Sequence, residues 1–165
     1  MESEVRGFLV YDEESLMVLG LLRLRGFVHR DIRFKVSVHC GHSNPASIKL
    51  LENLEADSAN PVADLTLPMI ASIRKAVKIP LDIFTDTPTT SGSINRIYET
   101  PEIIRVASPV YLKVGSIANP KHNHHPNQNE IVERVRQAKA VTEMIERYYP
   151  ESKPSHNRNL LAIPK

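Results

Sequence analysis

Between Asp57 and Asp86 the chain reads DSANPVADLTLPMIASIRKAVKIPLDIFTD. This is a short strand, a helix with apolar residues at helical spacing, and a second strand, all within about thirty residues. Two adjacent strands joined by a crossover helix run parallel, because a direct hairpin would reverse the second one. A chain made of such units presents its functional loops at one end of its sheet, after the C-terminal ends of the strands.

The unit recurs. Gly7–Asp12 reads as a strand, followed by a helix over Glu13–Arg25 with Gly26 as its stop. Ile32–His39 alternates with period two, so Ile32, Phe34, Val36 and Val38 share one face and Arg33, Lys35, Ser37 and His39 the other. Asn44 and Pro45 then open a helix whose buried stripe is Ile48, Leu51 and Leu54. Asp57–Pro61 is a short strand, and Leu67, Ile70, Ile73 and Val77 mark the next helix. Leu81–Asp86 is a strand, Thr87–Asn95 a polar loop, and Thr100–Ala107 a helix. Pro109–Gly115 is a fifth strand. A loop rich in Asn, Pro and His spans Ser116–Asn129. The longest helix follows, to Tyr149, with Ile131, Val135, Ala138, Val141, Ile145 and Tyr148 at helical spacing, and Pro150 ends it. Residues 1–150 form a single α/β domain on this reading. Residues 151–165 form a C-terminal tail whose LLAIP reads as an extended docking segment.

The strands decide between architectures. Strands covered by helices on both faces read as continuous apolar runs, but here Lys35, Asp82 and Lys113 interrupt theirs. Buried singly, such groups cost several kcal/mol each, so a Lys–Asp partnership on one face is expected. A barrel, or part of one, supplies an interior face for it. A complete (β/α)₈ barrel takes about 250 residues, whereas this chain has 165. The expected fold is therefore α/β, a partial (half) TIM-like (β/α) barrel with about five parallel strands. Its unpaired edges invite a homo-oligomer or a complementary half-barrel chain.

Composition narrows the class. With 21 basic and 19 acidic residues the net charge is +2 and no dense basic block occurs, so nucleic acid is not indicated. One cysteine, Cys40, excludes an internal disulfide framework and suits the cytoplasm. MESEVRGFLVYD lacks a signal-peptide core, and no apolar run is long enough to span a membrane.

Four groups carry candidate chemistry. In HCGHSN, His39 and His42 suit metal binding or acid–base work, and Cys40 is a nucleophile or ligand candidate. The bland alternative is a strand-to-helix turn. The interior set Lys35, Asp82 and Lys113 suits a lysine Schiff base with a carbonyl substrate, or else a structural ion pair. His122, His124 and His125 in KHNHH suit a transition metal or a solvated loop. Among polar groups at strand ends (Asp12, Glu13, Glu14, Asp64, Asp86 and Asn60), Asp86 and Asn60 are the better candidates, because Asp64 reads as the cap of a helix at Leu65 and the two glutamates favour a helix start. No GxSxG, HExxH, P-loop or GxGxxG pattern occurs. No cofactor or metal is named by these residues.

The stretches VHCGHSNPASIKLLENLEADSANPVADLTLPMIASIRKAVKIPLDI, RIYETPEIIRVASPVYLKVG and ERVRQAKAVTEMIERYYPES resemble the C-terminal part of the collagenase-like peptidases, peptidase family U thirty-two. The resemblance implies a TIM-barrel-like fold of which this chain covers the second half, and a hydrolase, a peptidase using water activated by a base or metal, with His39 or Asp86 as the base. Some members instead hydroxylate RNA or quinone precursors with an iron–sulfur cluster held by four cysteines. With Cys40 alone, this chain cannot hold such a cluster by itself. The rival readings are a lyase of aldolase type using a barrel lysine, and a non-catalytic half-barrel that assembles with another chain.

Overall fold

In the computed structural model, residues 5–88, 91–116 and 125–154 are described. Five strands, β1 (Gly7–Val10), β2 (Arg33–Val36), β3 (Ser58–Ala59), β4 (Leu81–Phe84) and β5 (Val110–Lys113), alternate with five helices. The helices are α1 (Glu13–Leu24), α2 (Pro45–Asn53), α3 (Leu67–Ala76), α4 (Thr100–Ala107) and α5 (Gln128–Tyr148). The strands form one all-parallel sheet in the order β1-β2-β3-β4-β5. Every strand neighbours its successor and right-handed crossovers repeat one turn of direction, so the helices fall on one face. In line with this, α2 packs on α3, α3 on α4 and α4 on α5. The fold is an α/β sector consistent with half of a TIM-like barrel, and the sheet does not close.

The core lies between the sheet and this helical layer. Phe34, Val36, Ala59, Leu81 and Ile83 point into it from the strands, and Leu16, Ile48, Leu51, Ile70, Ile73 and Ile103 meet them from the helices. Each large side chain contributes about 1.5–3 kcal/mol by leaving water. Gly20 sets the spacing at α1: a Cβ there would stand 2.5 Å from the Leu54 carbonyl oxygen, so the helix reaches the α2–β3 turn only without a side chain.

The helix starts are built locally. Asp12 accepts from Ser15 N at 2.7 Å, and Asn44 and Asn127 each open a reciprocal capping box, with Ser47 and Glu130. Asp64 does not cap: α3 begins two residues past Leu65, behind Thr66, and Pro68 occupies its first turn. All five strands are shorter than their apolar patterns. The stretch after Val36 coils into a 3₁₀ turn, Val38–Cys40, and Asn60-Pro61 ends β3. The helical spacing of α5 does not translate into burial. Val141 is buried, but Ile131, Val135 and Tyr148 are exposed. Among the described residues β5 is the last strand of the sheet, and α4 is the helix packed beside α5. Among the described residues no helix is long and apolar enough to cross a membrane.

Candidate functional site

The face of the sheet turned away from the helices carries the polar residues. Period two and parallel register bring Lys35 opposite Ser58, and Asp82 opposite Tyr111. Lys35 Nζ lies 2.7 Å from Asp82 Oδ1, although β3 runs between their strands. Ser58 makes this reach possible. Its small side chain leaves room for the lysine stem, and its hydroxyl donates to Asp82 Oδ2 at 3.0 Å. Asp82 is fully buried, so two charge-assisted bonds replace its water.

Lys113 ends β5 on the same face. Its ammonium lies 4.2 Å from the Phe84 ring centroid, and that of Lys35 lies 5.0 Å from the Tyr111 ring centroid. Burial pushes the pKa of Lys113 below the ordinary lysine value; Asp82 opposes that shift and Lys35 adds to it. One carboxylate thus faces two ammonium groups, and burial favours the neutral form of Lys113. The sequence-derived trio Lys35, Asp82 and Lys113 is brought together. Ser58, Tyr111 and Phe84 complete it. Their roles depend on register, and period-two alternation alone marks only which face they share.

At the C-terminal end of β2 the histidines are separately engaged. His42 Nε2 lies 2.9 Å from Glu13 Oε1, joining the loop after β2 to the start of α1. His39 stacks on Tyr11 with ring centroids 5.7 Å apart. Burial, with Glu13 and Asp12 nearby, raises the Cys40 pKa, and its thiol points at the Val10 carbonyl, 3.9 Å away. The thiol therefore stays protonated at neutral pH, unlike an activated nucleophile. Three strand spacings, roughly 14 Å at about 4.8 Å each, separate β2 from β5, so these groups and Lys113 belong to different parts of the open face.

Asp86 and Asn60 are buried at the same end of the sheet. Asp86 Oδ1 accepts from Gly115 N at 2.8 Å and from Thr85 Oγ1 at 3.3 Å, which ties the turn after β5 to that after β4. Gly115 is required there: its φ is +82° and a Cβ would stand 2.9 Å from Arg134 Cγ. Asn60 N donates to Val36 O at 3.1 Å. Asp64 lines a shallow depression of about 530 Å³ between the loops after β3 and β4, beside Arg96, whose guanidinium donates to Leu65 O at 2.6 Å. His125 is exposed, while His122, His124 and LLAIP lie outside the described residues. Among the described residues, no group of three or more His, Cys, Asp or Glu is placed to hold a metal ion.

Compared with known proteins, the chain matches no family model, no curated protein and no solved structure.

Proposed function

We propose that this chain is an enzyme built on a partial barrel and that Lys113 is its reactive group, forming a Schiff base with a carbonyl substrate in a lyase reaction of aldolase type. The observation that carries the reading is a half-buried lysine on the helix-free face of a parallel sheet, with its pKa lowered by burial and a second lysine at hand. The neutral amine attacks the carbonyl carbon, and water leaves as the imine forms. Asp82, held by Lys35 and Ser58, balances the positive charge that develops on the imine nitrogen. The reading includes a partner, because an open sheet walls this site on one side only. The single cysteine favours a cytoplasmic setting.

The test is borohydride trapping with a panel of 2-oxo acids and aldehydes, followed by peptide mass mapping. The expected result is one reduced adduct at Lys113, absent in Lys113→Arg. Absence of an adduct across the panel removes the reading.

A second reading is favoured by the His42–Glu13 pair. A carboxylate that orients an imidazole prepares it as a general base for water. This agrees with the peptide hydrolysis that the resemblance to the collagenase-like peptidases implies. Its test is hydrolysis of a peptide library with and without chelator; turnover that survives His42→Ala counts against it.

A further inference from the structure

The first edge of the sheet differs from the rest of the surface. Nine of the sixteen exposed large apolar side chains among the described residues lie between Val5 and Phe27, each from 43% to 77% exposed. Phe8 and Leu9 stand on the two faces of edge strand β1. Met17, Leu21 and Leu24 follow one another at i, i+4 and i+7 along α1, with Val18 beside them. About a quarter-turn round the helix from this stripe, α1 buries Leu16 and Gly20 against the core. An apolar stripe that continues past the core-facing side of a helix is built to be covered, and an edge strand paired on one side only among the described residues is a template for another strand.

Charge indicates what covers it. At the end of the flank where β1 finishes and α1 starts stand Asp12, Glu13 and Glu14. At the other end stand Arg6, Arg25 and Arg30. If β1 were extended in parallel by the β5–α5 edge of another copy, the acidic start of α1 would meet Glu130 and Glu133 at the start of α5. A two-fold axis perpendicular to the sheet does the reverse. It sets β1 antiparallel to its own copy, keeps both α1 helices on one side, and brings each acidic end to the other's basic end. The apolar stripe then meets itself, as a closed isologous interface requires.

We propose that the β1–α1 flank is a homodimer interface, with the two sheets joined through antiparallel β1 strands and the two α1 helices packed across the two-fold. Met17, Val18, Leu21 and Leu24 form the apolar centre of this interface, and the joined β1 strands add main-chain hydrogen bonds beside it. The inference is independent of the lysine chemistry, because β1 and β5 are opposite edges of the sheet. Trapping at Lys113 reads the chemistry and the assembly measurement below reads the interface, so either can fail alone.

The experiment is sedimentation velocity on the full chain across a hundredfold range of concentration, with circular dichroism as the folding control. The wild type is expected to form a dimer and nothing larger. Glu14→Arg and Arg25→Glu, both at exposed positions, should each weaken the dimer at least tenfold. The double variant should recover most of the loss, because in this packing residue 14 of one copy faces residue 25 of the other. Leu21→Glu should give a folded monomer. A wild-type monomer throughout the range overturns the proposal. So do oligomers that grow without limit, or a double variant as weak as the sum of the single ones.

Discussion

Two ionic clusters lie on the same sheet and are built differently. At the N-terminal ends of the strands, Asp57 accepts from Arg23 at 2.6 Å, from Arg33 at 2.9 Å and from Phe34 N at 2.7 Å. Arg23 also donates to Glu55 O and Ile32 O and lies 3.8 Å over the Phe34 ring. Rigid guanidinium forks and backbone groups hold every charge there. On the helix-free face, two flexible ammonium groups share Asp82, and one of them has its pKa pulled down by burial. The first arrangement uses charge to fix geometry. The second leaves an amine biased toward its neutral form on the face no helix covers, which suits reaction better than support.

The sharpest way to break this contrast is at Asp57. Asp57→Ala leaves Arg23, in a largely buried setting, with only the more distant Glu55 carboxylate at 4.0 Å, and should cost about 3–5 kcal/mol of stability, read as a fall in the urea midpoint at unchanged slope. A cost below about 1 kcal/mol would mean that the lower cluster does not anchor the sheet. Asp82→Asn comes next, at about 1.5–3 kcal/mol, because it keeps the shape and an acceptor for Ser58 but removes the counter-charge. It should also move the pH midpoint of trapping at Lys113 downward, since Asp82 opposes the lowering of that pKa. An upward move would show that Asp82 acts on Lys113 by some other route.

The upper cluster was far more legible in the sequence than the lower one. Lys35, Asp82 and Lys113 interrupt apolar strands, and period two alone puts each on the interior face. Arg23 looks like an ordinary basic residue in the last turn of an amphipathic helix. Only the packing of α1 shows its guanidinium tucked under the sheet. Ser58 and the His42–Glu13 pair were hidden for a related reason, because each depends on how one strand end meets another. Helix spacing was legible, but burial was not. The stripe on α5 has the right period yet stays largely exposed, since burial depends on a neighbour that spacing does not specify.

A smaller effect is expected at Glu52, which meets the chain just before the start of β4. Glu52 is pushed up by burial but held below its ordinary pKa overall, by Lys49 and by the N–H groups of Lys78 and Ile79. A carboxyl whose folded pKa is depressed contributes stability above its unfolded pKa and loses it as pH falls through the folded value. Glu52→Gln should therefore cost about 1 kcal/mol at neutral pH and almost nothing in strong acid. An equal cost at both pH values would assign the effect to packing.

The smallest change in stability is expected at Lys113, and it tests the comparison most directly. A lysine whose folded pKa is depressed binds its proton less readily folded than unfolded. Between the lowered value and the unfolded value near 10.4, the unfolded chain carries more protons, so wild-type stability rises with pH through that window. Below it both states are protonated, and the cost of burying the ammonium is constant. Lys113→Met removes that cost and keeps the packing over Phe84. Its stability at neutral pH should equal or slightly exceed the wild type, by less than about 1 kcal/mol, and the alkaline rise should flatten. A support of the Arg23 kind behaves oppositely: replacing it destabilises at every pH. If Lys113→Met lowers the urea midpoint at both pH 7 and pH 10, the two clusters are alike and the reactive-lysine reading loses its physical basis.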